Sequence, residues 1–531
     1  MSPGGPDRRP PRLRRSPPRR YRLEEYRRWF PRTAREFLRF LEAAGPLTDT
    51  EAVPASDEGP IGVVVVPWVS TPVPWYAVML AIGLARRGRR VVVLWDDTAF
   101  PEADVSEQNR LVGKVLDHVG RWLPVLRVGQ APPRARPGDA ELVEVLAGQN
   151  LTWRLRGGPP EDRHRRLPRR IATRLGRSLP LVRGALEEAA PDCLVVPGGV
   201  YGTSGLFLHE ARRRGCRVAT FDTDRSIAQI CVDGVAAQNG DIARAFRELW
   251  RSGAGERARA IERAVAEVED RTHTRDAYGY QARPSGAAAG AGPGSVLMPL
   301  NVEWDTAALG RHAAFSGTVD WVTTTVAEIL EADAGPVVVR QHPSERRPLQ
   351  RSRLDMASIL RQRFGDDPRL RFVAAGDEVN SYDLLGSSRL VLPYVSTIAI
   401  EAAALGKPVL VSGSSYFADL GFVHSAGSRE EYLALLHRGL RGELDLLPEQ
   451  RDRAWVCYYL TAVANRVSTD FTPHPDDFWS WCRQPLAELL ARPEVADILE
   501  AIDGDVPISL LRHRRLLAPP GPESPRPGSG P

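Results

Sequence analysis

Two stretches of this 531-residue chain hold residue types and spacings suited to chemistry on a phosphate. The first is Leu390–Tyr416 (LVLPYVSTIAIEAAALGKPVLVSGSSY). An apolar run of strand length ends at Pro393, and Ser396 and Thr397 then open a helix expected to reach Leu405. A helix N-terminus offers unpaired amides and the positive end of the helix dipole, which suit an anion. Both hydroxyls add donors, and either can cap the helix. Glu401 lies four residues after Thr397, so one helix face carries both. A carboxylate there can accept both hydroxyls of a ribose. Gly406 suits the left-handed helix end, and Lys407 follows before the strand PVLV. An ordinary α/β turn, with a capping Ser and a solvated Glu, would have the same spacing.

The second stretch is Val337–Arg347 (VVVRQHPSERR). Arg340 and His342 follow an apolar strand, so they emerge at its carboxyl end. A guanidinium makes a charge-assisted fork to phosphate. An imidazole can donate to the same group and help a leaving group depart. Pro343 fixes the turn that aims His342. Glu345 and Arg346 read as a surface pair.

Carboxylates at other strand ends are candidates for taking a proton from a hydroxyl. Asp96 and Asp97 follow one strand, Asp222 and Asp224 end another at 217–221, and Glu303 and Asp305 lie near the middle of the chain. Asp222 is the expected base, because its strand follows a glycine-rich turn, Gly198–Gly205 (GGVYGTSG). Trp68, Trp75 and Tyr76 could stack on a sugar ring, although aromatics near a strand end are more often core. Asp222-Thr-Asp224 is the one D-x-D at a strand end. Neither a metal nor a cofactor is expected. The five cysteines are scattered, without C-x-x-C spacing, which fits a reducing cytoplasm.

The elements that must position these residues alternate. From residue 60 onward strand-length apolar runs alternate with helical stretches, which implies βαβ units and a parallel sheet. The series is interrupted at 284–294 (PSGAAAGAGPG), which has no charge and no large side chain and reads as a linker. The expected organisation is therefore a basic, partly disordered extension over 1–50 and a Rossmann-like domain over 51–283, which the family resemblance given below makes the acceptor side. The linker leads to a second Rossmann-like domain over 295–470. C-terminal helices over 471–515 and a disordered tail over 516–531 complete it. Ligands in such folds bind at strand carboxyl ends, in the crevice between halves.

Charge sharpens the picture. Residues 1–40 carry 13 Arg against Asp7, Glu24, Glu25 and Glu36, a net of +9 within a total of +5. The body is therefore mildly acidic at −4, which argues against nucleic acid as a partner. Residues 21–44 could form one or two short helices broken at Pro31. They would lie on an anionic membrane surface or, slightly favoured, pack on the fold. Residues 61–85 are uncharged but carry Pro67, Pro72 and Pro74, so strand, loop and helix is the better reading than a membrane span.

The run S-T-x-x-x-E-A-x-x-x-G-K-P-V resembles the donor-binding half of GT-B glycosyltransferases. It is most like bacterial capsule and surface-polysaccharide biosynthesis proteins, which include Kdo transferases. R-x-H-P-x-E at 340–345, Leu297–Asp305 (LMPLNVEWD) and Asp377–Leu385 (DEVNSYDLL) resemble further segments of that family, in the same order. Together they cover most of 190–435. The resemblance implies an α/β GT-B fold, two Rossmann-like domains facing a central cleft. It implies a nucleotide-sugar donor and a saccharide or lipid-linked acceptor. It implies that His342 contacts the donor phosphate, with Arg340, Ser396, Thr397, Glu401 and Lys407 as substrate-binding residues and Asp222 with His342 as catalytic ones. It fits a cytoplasmic enzyme held at the inner membrane face by its basic N-terminal segment. A nucleotide-sugar epimerase, a glycerophosphate polymerase and a non-catalytic assembly protein share the same outline.

Overall fold

The computed structural model describes residues 19–45, 59–68, 71–98, 105–272, 294–348 and 350–517. The expected linker at 284–294 lies outside them except for Gly294, and so does the tail beyond Leu517.

The first sheet is built from β1 (Ile61–Val65), β2 (Val91–Trp95), β3 (Val125–Arg127), β4 (Cys193–Pro197), β5 (Arg217–Asp224) and β6 (Ile227–Cys231). The second is built from β7 (Ser295–Pro299), β8 (Val337–Arg340), β9 (Leu370–Val373) and β10 (Ser388–Val391). β11 (Leu410–Val411) and β12 (His424–Ser425) form a small parallel pair, and β13 (Val467–Ser468) joins the first sheet. The strand orders are β13-β6-β5-β4-β1-β2-β3 and β10-β7-β8-β9. The second sheet is wholly parallel, and the first is parallel from β5 to β3. Helices cover both faces of such sheets, so the strands read as unbroken apolar runs. Every residue of β1, β4 and β7 is buried accordingly.

The packing does not follow the expected divide at 284. Helices Ile242–Arg251 and Ala254–Thr272 bury Phe246, Leu249, Ala260 and Ala264 in the core that contains Leu297 and Val338 of the second sheet. The chain later crosses back. β13 pairs antiparallel with β6, and Phe478, Trp481, Leu489 and Ile498 enter the core under β1. The helices over 475–504 are thus part of the first unit rather than an appendage, and the last helix, Ile508–Leu516, reaches both cores through Ile508 and Leu510.

The N-terminal segment packs on the fold, as favoured, but is not broken at Pro31. A single helix runs Arg19–Ala44 straight through Pro31. Phe30 and Phe37 stack on Trp75 with ring centroids 5.2 and 5.4 Å apart, and Phe37 meets Trp481 edge-on at 6.1 Å. Burial of this aromatic face offsets the backbone hydrogen bond lost at the proline, which has no N–H to donate. From Phe30 to Leu41 the segment is therefore domain core, not extension. Trp75 and Tyr76 are fully buried there, which removes them from any sugar-stacking role. Among the described residues no helix is long and apolar enough to cross a membrane.

Candidate functional site

A cavity of about 150 Å³ opens between the two units. His342, Ser396, Thr397, Asp305 and Arg311 line it from the second unit, and Gln238 and Asn239 from the first. Three of the expected residues thus meet in one place.

His342 sits where β8 ends. Pro343 begins a tight 3-10 turn, so the Ser344 amide points back at the imidazole and donates to Nδ1 at 3.3 Å. The Ser344 hydroxyl lies 2.7 Å from the same nitrogen. An Nδ1 that accepts places the neutral ring's proton on Nε2. Burial, and then the charge of Arg340, push the imidazole pKa down to about 4. At neutral pH His342 is therefore an uncharged hydrogen-bond donor.

Ser396 and Thr397 follow β10, before the seven-residue helix Ile398–Ala404. Asn301, after β7, accepts from the Val395 amide at 3.2 Å and fixes this loop. Gly413 closes the other side, its amide donating to the Tyr394 carbonyl at 3.0 Å. A Cβ there would lie 2.5 Å from Val395 and 2.8 Å from the Arg311 carbonyl, so only glycine fits. Tyr416 and Ser415 continue the wall, and the Ser415 hydroxyl is buried with no hydrogen-bond partner among the described residues.

The other expected residues are placed elsewhere. Arg340 is buried, and its guanidinium donates to the carbonyls of Ala374 and Val379. Burial lowers its pKa to about 10. It is a strut beneath the cavity rather than a wall of it. Lys407 donates to the carbonyls of Gly386 and Ser388, both at 2.8 Å, and ties two chain segments together. Glu401 is buried one helical turn behind Thr397, where its charge is felt by the Tyr416 phenol. Asp222 does not line the cavity, and it lies inside β5, opposite Gln229 of β6, not at a strand end. The strand continues because Arg225 and Ser226, the latter at φ 54°, make a hairpin turn.

The groups that sequence reasoning missed come from loops. Among the described residues Arg311 is the one arginine that lines the cavity. Burial lowers its pKa, and the charge of Arg212 adds to this. Asn239, at φ 51°, accepts at its side-chain oxygen a 3.1 Å hydrogen bond from the Asn465 side-chain amide. Asp305, weighed earlier as a rival base, is present. It lines the cavity, and the protein packed around its carboxyl raises the pKa. The Ala307 amide approaches it at 3.4 Å.

The loop 301–311 that carries Asp305 and Arg311 is clamped across the junction. Gln238 donates to the carbonyls of Thr306 and Leu309 at 2.9 and 3.1 Å. Leu309 is buried among first-unit residues that include Leu206 and Val235. Among the described residues no group of three or more His, Cys, Asp or Glu is arranged to hold a metal ion.

No protein-family profile and no curated protein matches the chain. Solved structures of similar shape include a β-Kdo 2,4 transferase, KpsC of Thermosulfurimonas dismutans. It is 14% identical, with a TM-score of 0.33, over 50% of this chain and 78% of that one. A putative UDP-N-acetylglucosamine 2-epimerase of Listeria monocytogenes is 13% identical, with a TM-score of 0.27, over 84% of this chain and 96% of that one. The wall teichoic acid polymerase TagF is 7% identical, with a TM-score of 0.19, over 94% and 98%. The fold assignment itself rests on two Rossmann-like α/β units, their helix-covered parallel sheets, and the cavity between them. The chain has a GT-B architecture.

Proposed function

We propose that the protein is a glycosyltransferase of surface-polysaccharide assembly. It moves a sugar from a nucleotide-sugar donor to a saccharide or lipid-linked acceptor. The observation that carries this reading is the meeting of neutral His342, Ser396, Thr397 and Arg311 around one cavity at the unit junction.

These groups suit a phosphate. Arg311 supplies a charge-assisted hydrogen bond, and the Nε2–H of His342 and two hydroxyls supply neutral ones. In the transfer, the bond from the anomeric carbon to the phosphate oxygen breaks, and its electron pair goes to the phosphate. The acceptor oxygen bonds the anomeric carbon as its proton leaves. Donors aimed at the departing phosphate stabilise the charge that develops there. Asp305 is the carboxylate in the cavity wall, and its raised pKa suits it to take the acceptor's proton. Asp222 is kept as an acceptor-side residue rather than the base.

The cavity is smaller than the ~300–1,000 Å³ typical of pockets for molecules of nucleotide size. It would take the phosphate portion of the donor, with the rest of the donor lying along the cleft between the units. The basic segment before the N-terminal helix would hold the enzyme at an anionic inner leaflet.

Calorimetric titration with UDP, CMP, GDP and CDP tests the reading. One of them should bind to the wild type and bind far more weakly to Arg311→Gln. Folded protein that binds none of the four contradicts it.

A further inference from the structure

Away from the cavity, helix Leu167–Ala189 and the turn before it carry a strongly basic surface. The helix buries Leu175, Leu179, Val182 and Leu186 in the core on one face of the first sheet. Its outer side carries Arg166, Arg170 and Arg177, at i, i+4 and i+11, with Arg169 beside them. These four, and Arg165 in the turn, are exposed. Among the described residues none of the five side chains makes a hydrogen bond or an ion pair.

The arrangement runs against local stability. Cations in the first turn of a helix meet the positive end of its dipole, and like charges four residues apart repel. Arg166, Arg169 and Arg170 do the first, and Arg166 with Arg170 the second. No acidic residue occurs between Asp162 and Glu187 to relieve either. A face that is merely solvated interleaves both signs. A local rule broken without local compensation points to a surface kept for a function.

The basic surface continues across the unit junction. The Arg353 amide donates to the Arg156 carbonyl at 2.8 Å, and the Arg353 guanidinium pairs with Glu161. Arg156 in turn donates to the Pro348 carbonyl at 3.3 Å. These contacts set exposed Arg346, Arg347, Arg351 and Arg353 next to the turn that opens the helix. Residues 154–177 hold 9 Arg against Glu161 and Asp162, a net of +7, and residues 346–353 add +4. Both stretches belong to a body whose net charge is −4. From Arg166 to Arg177 alone the band runs ~16 Å, too far for one small anion to cover.

The band is separate from the basic N-terminal segment. The N-terminal helix packs Phe30 and Phe37 with Val63 and Val65, whereas Leu179 and Val182 pack with Val64 and Val66. Alternate residues of a strand face opposite sides, so the two helices cover opposite faces of the first sheet.

We infer that this arginine band docks on an anionic phospholipid surface. The inference goes beyond the transferase reading and does not depend on it. Guanidinium groups fork onto phosphate, and a broad band of one sign finds its complement in a layer of anionic headgroups. A nucleic-acid strand would call for rings on which bases stack, and residues 163–177 contain no aromatic side chain but His164. Residues 346–353 continue the turn that holds His342, so docking brings the mouth of the cavity towards the headgroups.

Co-sedimentation of the full chain with phosphatidylcholine vesicles, with and without phosphatidylglycerol, tests this. Wild-type protein should bind the anionic vesicles only, and more weakly as salt rises. The triple variant Arg166→Gln, Arg169→Gln, Arg170→Gln should bind about a hundredfold more weakly, at roughly fivefold per arginine. Its thermal midpoint should not fall, because these side chains hold no contact. The charge-matched triple Arg32→Gln, Arg35→Gln, Arg39→Gln, on the N-terminal helix, should lose far less. Circular dichroism establishes that each variant is folded. Wild-type binding to neither vesicle, equal losses in the two triples, or binding to heparin or a DNA duplex without binding to vesicles overturns the proposal.

Discussion

The Arg340 guanidinium donates to the Val379 carbonyl oxygen at 3.0 Å, and so faces the protein interior rather than the cavity that His342 lines. A residue two positions from a candidate phosphate donor is thereby a strut. Replacing it should read out as stability. Arg340→Gln is expected to cost about 3 kcal/mol, the scale of buried hydrogen bonds from a charged donor. Urea unfolding followed by tryptophan fluorescence measures this, and the folded fraction should keep its nucleotide affinity.

Arg311 should behave in the opposite way. It lines the cavity, and no hydrogen bond or ion pair holds its guanidinium among the described residues. Arg311→Gln removes one charge-assisted contact of about 1.5–3 kcal/mol. That corresponds to a loss of about ten- to a hundredfold in nucleotide affinity by calorimetry, with little change in the unfolding midpoint.

The His342 ring makes a pH prediction whose sign is set by burial. Its folded pKa of about 4 lies below the 6.5 of an unperturbed imidazole. The unfolded state therefore binds more protons between those values. The stability tied to the neutral ring is complete above pH 6.5 and is lost as pH falls towards 4. His342→Gln should remove that slope, of order 3 kcal/mol across the window. Asp96, raised to about 6 by burial, acts in the reverse direction, so the measurement is the difference between variant and wild type. Nucleotide binding should show no imidazole titration between pH 6 and 8.

Phe37 reports on the N-terminal helix. It is fully buried against Trp75 and Trp481. Phe37→Ala should cost about 3–5 kcal/mol, seen as a lower thermal midpoint and faster proteolysis of the first unit. The same contacts decide how a membrane role must be probed. Removing residues 1–45 would take away core, whereas removing 1–18 tests binding to phosphatidylglycerol vesicles with the aromatic face intact.

Much of this fold could be read from local pattern. β1, β4, β7 and β8 are short apolar runs, and a buried parallel strand needs nothing more to announce itself. His342, Ser396 and Thr397 were legible because each directly follows its strand, so chain direction alone carries it to the cleft. Arg340 follows the same rule in sequence, yet its side chain turned to the carbonyls of Ala374 and Val379, which no spacing within β8 reveals. Arg311 and Asn239 were not legible. They reach the cavity on loops whose position depends on the Gln238 and Asn465 bonds, made with residues 68 or more positions distant. Arg311 was further hidden by composition, since all basic residues but Lys114 and Lys407 are arginine. Crossing of the chain between units at 242 and 467 was invisible because a helix or a two-residue strand does not say which core it will enter.

The most direct test of the central claim is turnover. Wild-type protein incubated with UDP-, GDP-, CDP- and CMP-linked sugars and a saccharide acceptor should release one nucleotide and form a new glycosidic bond, detected by mass spectrometry. Arg311→Gln and Asp305→Asn should each lower the rate at least tenfold. Folded wild-type protein that releases no nucleotide from any donor, or that converts the donor sugar without using an acceptor, would contradict it.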